Sequence, residues 1–471
     1  MAITIQSIKV EGVEYMQLVQ LEISHAVNEY GRARLVLIID EAKAKEFMQQ
    51  GGAVGVMKIS SKVGDNTTLM FCGYVVNVNF QLQVGYNLMT IDLCDTASLL
   101  DIKRLNHSFQ KLDANYKNIL EGQVADAGGT IQFKVDDKAI EKMILQLNET
   151  SWEFIKRMAS QLNASVFTDI TAESPMITIG LPDAKATAKI QNGDFSCEFN
   201  AAQFDFVQSN PQLLAEGVGV VVEDFFSVQL AGPFQYLNLG DVVQYDRKNY
   251  RVKALDGRFI ADGSFRMTYT LVGENGFLVP KVAPKNLRGR IFRAQVKTVD
   301  KDVIQAHLVD IDAEYDNEST MKFPFATPYS SADGSGWYVM PEVDDYVRII
   351  FPSNDTDDAF AISSINTAPL ADPKNKSLKA PGGRELLLTD KGVEIIAEHQ
   401  ETFILLNKDE GISVVSAKDI VIHADGNIFF EANGKIQMVA KEEIAVQSGQ
   451  SHVKLLSDQI DMGGNKIIVG E

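Results

Sequence analysis

The chain has 471 residues, 45% apolar and 23% charged, which fits a globular protein with several cores and excludes a disordered or membrane-embedded class. A net charge of −19 argues against nucleic acid as a partner, since phosphate binding needs clustered Lys and Arg, and against an anionic membrane as an electrostatic target. Three cysteines, Cys72, Cys94 and Cys197, make no close pair, which speaks against a disulfide framework or zinc site and for synthesis in a reducing compartment.

The N-terminal MAITIQSIKVEGVEY alternates polar and apolar residues and lacks the plan of a secretory signal, so synthesis in the cytoplasm without a signal peptide is expected. The longest apolar run, GVGVVV at 217–222, is too short for a membrane span. Residues 1–283 read as strand-rich with two helices. Residues 33–39 (ARLVLII) and 70–78 (MFCGYVVNV) have strand character, and 86–93 (YNLMTIDL) pairs with the latter as a hairpin. A helix is expected over 113–127, where Tyr116, Ile119, Leu120 and Val124 share a face before Gly128-Gly129. A second begins at Thr150, with Glu153 three residues on as a capping box and Trp152, Ile155, Met158, Ala159 and Leu162 as its apolar stripe. Residues 239–273 predict three or four short strands.

The stretch PKVAP at 280–284 marks a boundary. Residues 289–367 form a compact all-β segment of barrel size, and a second linker rich in Pro, Lys and Gly covers 368–383. Isoleucine then recurs at every eighth position: Ile412, Ile420, Ile428, Ile436 and Ile444. Two residues after each stands Val414, Ile422, Phe430, Met438 or Val446, and two further on Ser416, Ala424, Ala432, Ala440 or Ser448. Because strand side chains alternate faces, these three positions point one way, so each octad is a five-residue strand and a corner. The frame extends back to Leu388, Ile396 and Ile404 and forward to Ile460 and Ile468, with His452 breaking it. At that break either three imidazoles form a polar or metal-binding layer, or the repeat shifts and Val453 turns inward. The taper from Ile to Ala or Ser suits a closed prism, and a hairpin meander fits poorly because few corners carry Asn-Gly or Gly-X. Either one chain winds a monomeric β-helix, with exposed strand edges at its ends, or three chains intertwine; the second is expected.

Several motifs carry a resemblance over the whole chain to the VgrG-type spike proteins of contractile injection systems and the hub and spike proteins of contractile phage tails. Phe71-Cys72-Gly73-Tyr74-Val75 looks like the family's F-x-G-x-V strand; Ser98-Leu99-Leu100-Asp101, Arg104 and Ser108-Phe109-Gln110 look like the run that follows. Residues 149–157 (ETSWEFIKR) are similar to its E-x-x-W-x-F-x-x-R helix, and Gly240-Asp241-Val242-Val243 to its G-D-x-V turn. Lys322-Phe323-Pro324-Phe325, Gly336-Trp337, Pro341 and Asn354-Asp355-Thr356-Asp357 match the OB-fold joining hub to spike, although Asp344 replaces a usual glycine and Ala359 a usual Arg-Pro.

The resemblance implies a mainly β fold with a few helices: tube-like β-barrel hub domains over 1–283, an OB-fold over 284–370, a linker over 371–385, and an intertwined triple-stranded β-helix over 386–471. It implies a homotrimer under a sixfold inner tube protein, with baseplate proteins, possible effector cargo and a target membrane pierced in passing. The trimer core would be Ile412, Val414, Ile420, Ile422, Ile428, Phe430, Ile436, Met438, Ile444 and Val446. A PAAR-like tip protein would dock on Ile467, Ile468, Val469, Gly470 and Glu471. No catalytic residue, cofactor or metal site is assigned. His25, His107, His307, His399, His423 and His452 lack ligand spacing, Gly217-Val218-Gly219 lacks a dinucleotide fingerprint and reads as a bent strand, and the NDTDD loop lacks the EF-hand glycine and distal glutamate. The alternative is a monomeric β-helix acting on carbohydrate through paired carboxylates.

Overall fold

The computed structural model describes residues 3–50, 55–191, 193–260, 263–364 and 372–468. The chain divides into two compact units, Met1–Thr367 and Ala368–Glu471.

The first unit opens with β1 (Ile8–Glu11), β2 (Gln17–Ala26), β3 (Arg32–Ile38), α1 (Glu41–Gln50), β4 (Val56–Val63), β5 (Asn66–Gln83) and β6 (Tyr86–Asp95). The expected hairpin is present, with β5 and β6 antiparallel around a turn at Val84-Gly85. An insertion follows: β7 (Arg104–Phe109), α2 (Tyr116–Ala125), β8 (Thr130–Phe133), β9 (Ile144–Thr150), α3 (Ser151–Gln161), β10 (Val166–Thr168) and β11 (Met176–Ile179). Then come β12 (Thr187–Lys189), β13 (Asp194–Phe199), α4 (Ala201–Ser209), β14 (Phe226–Gly232), β15 (Val242–Tyr245), β16 (Lys248–Phe259) and β17 (Phe265–Val272).

One twelve-stranded sheet runs β1-β4-β5-β6-β3-β2-β16-β17-β14-β13, with β15 on β16 and β12 on β15. Its two halves are joined by the β2–β16 pair, Ala26 opposite Ala254 through Glu22 opposite Arg258. Alternation places Leu21, Leu35, Ile91, Leu230, Tyr269 and Leu271 on one face, all at most 1% exposed. Each contributes about 1.5–3 kcal/mol of burial before entropy costs. The other face is polar. Along it Asn77, Asp92, Arg34, Glu22, Arg258 and Arg266 stand opposite one another strand by strand. Arg34 donates to Asp92 at 2.7 Å, and Arg266 pairs with Asp194.

Both expected helices form. Thr150 Oγ1 accepts from Glu153 N at 3.1 Å, and Glu153 Oε2 accepts from Thr150 N at 3.1 Å, closing the capping box. Two more helices are present. The Asp40 carboxylate caps α1 through Ala42 N at 2.9 Å, and Asn200 caps α4 through Gln203 N at 3.0 Å. Gly217 sits in a turn at φ 79°, so the bent strand read there is not formed.

Next are β18 (Arg290–Asp300), β19 (Val303–His307), β20 (Phe323–Pro324), β21 (Tyr346–Phe351) and β22 (Phe360–Ile362), ordered β20-β19-β18-β21-β22. A parallel bridge between Phe325 and Ala361 brings the ends together into a near-closed five-stranded barrel. Its core of Ala294, Val296, Ile304, Phe323, Val347, Ile349 and Phe351 also takes Met143 and Leu145, from the arm carrying β9. Ser108 N donates to Asp312 Oδ1 at 2.8 Å, and Thr356 Oγ1 to the Met143 carbonyl at 2.7 Å, fixing that arm. Asp344, standing where a glycine is usual, has φ 73°, a region that Asp tolerates better than most residues. Asp355 and Asp357 both pair with Lys142, which gives the NDTDD loop a structural partner.

The second unit has a five-stranded antiparallel sheet in chain order: β23 (Lys376–Lys379), β24 (Glu385–Leu388), β25 (Gly392–Glu398), β26 (Thr402–Asn407) and β27 (Gly411–Val415). Strand β23 lies inside the stretch read as a linker. After residues without strand come β28 (Glu443–Ser448), β29 (Ser451–Leu456) and β30 (Ile460–Gly463), again an antiparallel meander. Meanders thus form at both ends of the octad zone, contrary to the turn-based expectation. Gly411 (φ 91°) and Gly449 (φ 57°) supply left-handed turn conformations there without the Asn-Gly signature.

Candidate functional site

Between the two meanders, residues 416–442 belong to no helix or strand. Bends nonetheless fall at 417–418, 425–426, 433–434 and 441–442, once in every eight residues, where the octad places its corners. Among the described residues none makes a backbone–backbone hydrogen bond with this stretch, and every residue from 417 to 443 is exposed. Its octad positions nevertheless carry large apolar side chains. Ile428 is 45% exposed and Phe430 65%, while Val421 and Phe429, on the intervening positions, are each 85% exposed. Ile420, Ile422, Ile436 and Met438 are exposed too.

The flanking sheets continue the surface. On the five-stranded sheet, Leu386, Ile395, Ile404 and Val414 stand opposite one another, as do Leu388, Val393, Leu406 and Ile412. Most of this apolar face is exposed, including Ile412, Val414, Ile404 and Leu406. One extrapolated position is corrected. Ile396 pairs with Phe403 on the opposite face and is 5% exposed. The reversals around β25 pair even-numbered with odd-numbered residues, so an eight-residue spacing cannot keep one face through that strand.

At the far end Ile444, Leu455 and Ile460 share a face with Val446, Val453 and Met462. Val453, and not His452, therefore shares the face of Ile444 and Val446, as in the frame-shift alternative. The His452 ring lies on the other face against Gly463, with Nε2 3.3 Å from Asp461 Oδ2. Of the residues assigned to tip docking, Ile467 and Ile468 are exposed, and Val469, Gly470 and Glu471 lie outside the described residues.

The family-like residues of the first unit are structural. The Arg157 guanidinium donates to Glu149 through Nε at 2.8 Å and Nη2 at 2.6 Å, and to the Leu145 carbonyl at 2.7 Å. Arg104 donates to Glu153 at 2.9 Å, and Trp152 and Phe154 are fully packed. The motif therefore binds α3 to β7 and β9. A buried chain that sequence reasoning missed links β2, β6 and β10: His25 Nε2 lies 2.8 Å from Thr168 Oγ1, which donates to Asp95 Oδ2 at 2.9 Å. Asp95 also accepts from Gly31 N at 2.8 Å and Ala97 N at 2.9 Å. Burial holds the imidazole down at about 3 and lifts the Asp95 carboxyl to about 6. Only the spacing of single polar residues within apolar strands hinted at this.

The model of the Alg8 N-terminal domain family matches residues 1–217. No curated protein sequence matches the chain. Among solved structures, the chain is similar to the Escherichia coli c3393 protein, described as a component of the type VI secretion system with structural similarity to the T4 bacteriophage tail proteins gp27 and gp5. The TM-score is 0.54 at 13% identity, covering 76% of this chain and 99% of that one. A Francisella PdpA–VgrG complex in its half-lidded form gives a TM-score of 0.51 at 10% identity, covering 84% of this chain and 83% of that one. The chain thus shares its fold with these type VI secretion and VgrG structures.

Proposed function

We propose that the chain is the central hub and spike of a contractile injection particle, acting as a homotrimer that adapts a sixfold inner tube to a threefold needle. The observation that carries this is the strandless octad zone at 416–442. Ordering a residue costs about 1–2 kcal/mol of backbone entropy, and among the described residues this stretch recovers no backbone–backbone hydrogen bond and almost no burial. Its corners still come every eight residues, so the surface that completes it needs the same repeat. A second and third copy of the chain supply that repeat. Three strands, one from each chain, would place Ile412, Ile420, Ile428, Ile436 and Ile444 and their apolar followers on a common axis.

In this reading the first unit is the hub with its tube-like barrels and OB-fold, the second an intertwined β-helix, and a tip protein caps the C-terminal end. Baseplate proteins and effector cargo would be its other partners. Stiffness and narrowness serve penetration of an envelope, and no reaction is assigned to the chain. Absolute mass by light scattering tests the reading. A value near 156 kDa, three times the 51.9 kDa chain, is expected, and a value near 52 kDa would overturn it.

A further inference from the structure

A cleft of about 650 Å³ opens in the first unit where the insertion meets the five-stranded barrel. That size lies within the roughly 300–1,000 Å³ of ligand pockets. One wall is α3, with Glu153, Lys156 and Arg157; another is built by Arg104 of β7 and by Leu147 and Glu149 of β9. Residues 279–286, between β17 and β18, close the opposite side together with Arg290 and Phe292 of β18.

The walls are held by their own pairings. Arg157 is buried and bonded to Glu149, and Arg104 bonds to Glu153 and, at 2.6 Å, to the Asn148 carbonyl. Asn148 takes φ 52° there, and its N donates to Asn106 Oδ1 at 2.8 Å, beside the bulge at Leu105 and Asn106. The cleft is therefore fixed before anything enters it, which spares a ligand the cost of ordering it.

Its charge is opposite to that of the chain. Five of the lining side chains are cationic and two anionic, in a protein of net charge −19. Both carboxylates are already engaged, Glu149 by Arg157, and Glu153 by Arg104 and the Thr150 amide. Among the described residues Lys156, Lys285 and Arg290 have no ion pair. Lys156 lies over the Trp152 ring at 5.4 Å, Arg290 Nε donates to the Asn286 carbonyl at 3.0 Å, and Lys285 acts on Glu153 only through its field. Cations of one sign in a concave site focus their field outward, so these three attract an anion. Beside them the surface is apolar: Leu147, Pro284 and Phe292 are half-buried, and Val282 is exposed. Inorganic phosphate would use the cations and leave the apolar wall empty, and a nucleic acid is repelled by the charge of the whole chain. A peptide that carries carboxylates beside apolar side chains uses both.

We propose that this cleft is a docking site for a short acidic peptide of another protein, with its carboxylates on Lys156, Lys285 and Arg290 and its apolar side chains against Val282, Pro284 and Phe292. The cleft is complete within one chain, whatever the number of copies in the particle.

Fluorescence anisotropy of a labelled peptide of alternating leucine and glutamate, titrated with the full-length protein, tests this. The peptide should bind, its leucine–lysine counterpart should not, and added salt should weaken the complex. Removing all three cations (Lys156→Gln, Lys285→Gln, Arg290→Gln) should weaken binding about tenfold, the combined effect of three exposed ion pairs. Val282→Asp should weaken it as well, by placing a charge in the apolar wall, and neither variant should change the mass in light scattering. Failure of the natural protein to bind, or equal affinity in the variants, overturns the proposal. If the triple variant does not fold, Val282→Asp decides the comparison. Full displacement of the peptide by equimolar tripolyphosphate also overturns it, by making the cleft a site for phosphate groups. So does a folded triple variant that loses the mass of the natural protein, which would assign the cleft to a contact between copies.

Discussion

At the scale of single residues, the buried His25–Thr168–Asp95 chain sets a pH dependence that can be worked out. The His25 imidazole is held near 3 against an ordinary 6.5, so the folded chain refuses a proton that the unfolded chain accepts. Its contribution to stability is complete above 6.5 and is lost as pH falls toward 3. Asp95, near 6 in the fold against 3.8, has the opposite sign: the folded chain holds the proton, and stability falls as pH rises from 3.8 through 6. The two nearly cancel between 3.8 and 6. Apart from Asp95, which Thr168 separates from the ring, the charged group acting on the imidazole is Asp169, which favours its charged form without overcoming burial. Replacing His25 by Gln removes one side of the balance. Relative to that variant, the natural protein should lose up to about 1.4 kcal/mol per pH unit on acidification below 6.5, read from urea unfolding at a series of pH values. Parallel curves for the two proteins would show that the ring titrates normally.

At the scale of elements, Ile428→Asp places a carboxylate on the inner series of the octad zone. Three such groups on one axis would each cost several kcal/mol to bury unpaired. The expected result is loss of the trimer in light scattering, while Val421→Asp, on the outward series, is tolerated better. A fully assembled Ile428→Asp trimer would refute the inward assignment. What the sequence made legible in this zone is the repeat: the bends at 417–418, 425–426, 433–434 and 441–442 fall where the octad sets its corners, while the inward facing of Ile420 to Ile436 belongs to the proposed trimer. What pairs with each strand was not legible, since it depends on reversals that single residues do not encode. Ile396 changes face for that reason, and His452 yields to Val453 where the octad slips by one. The capping box at Thr150 announced α3, but α1 and α4 are only ten and nine residues long with few buried positions, too little pattern to stand out from strand-rich surroundings. The edge exposed on β13 was invisible as well, because openness belongs to the sheet rather than the strand.

For the whole molecule, the proposed trimer predicts an unfolding transition that depends on protein amount. Association stabilises by mass action, so the midpoint of the C-terminal transition should rise as total chain concentration is raised. Calorimetry over a hundredfold range would show it, and a midpoint that does not move would mean that each chain folds alone. The transition of the first unit, which rests on its own cores, should respond less.

The polar face of the twelve-stranded sheet would matter to any molecule carried along it in the proposed particle. Two of its arginines are paired with carboxylates, Arg34 with Asp92 and Arg266 with Asp194, which reduces the charge free to grip a passing molecule. Groups of this kind keep their hydration and offer little apolar foothold. In the proposed trimer, if this face lines a channel, it would act as a wet glaze: indifferent to the sequence of what slides by, and without a grip on a passing chain.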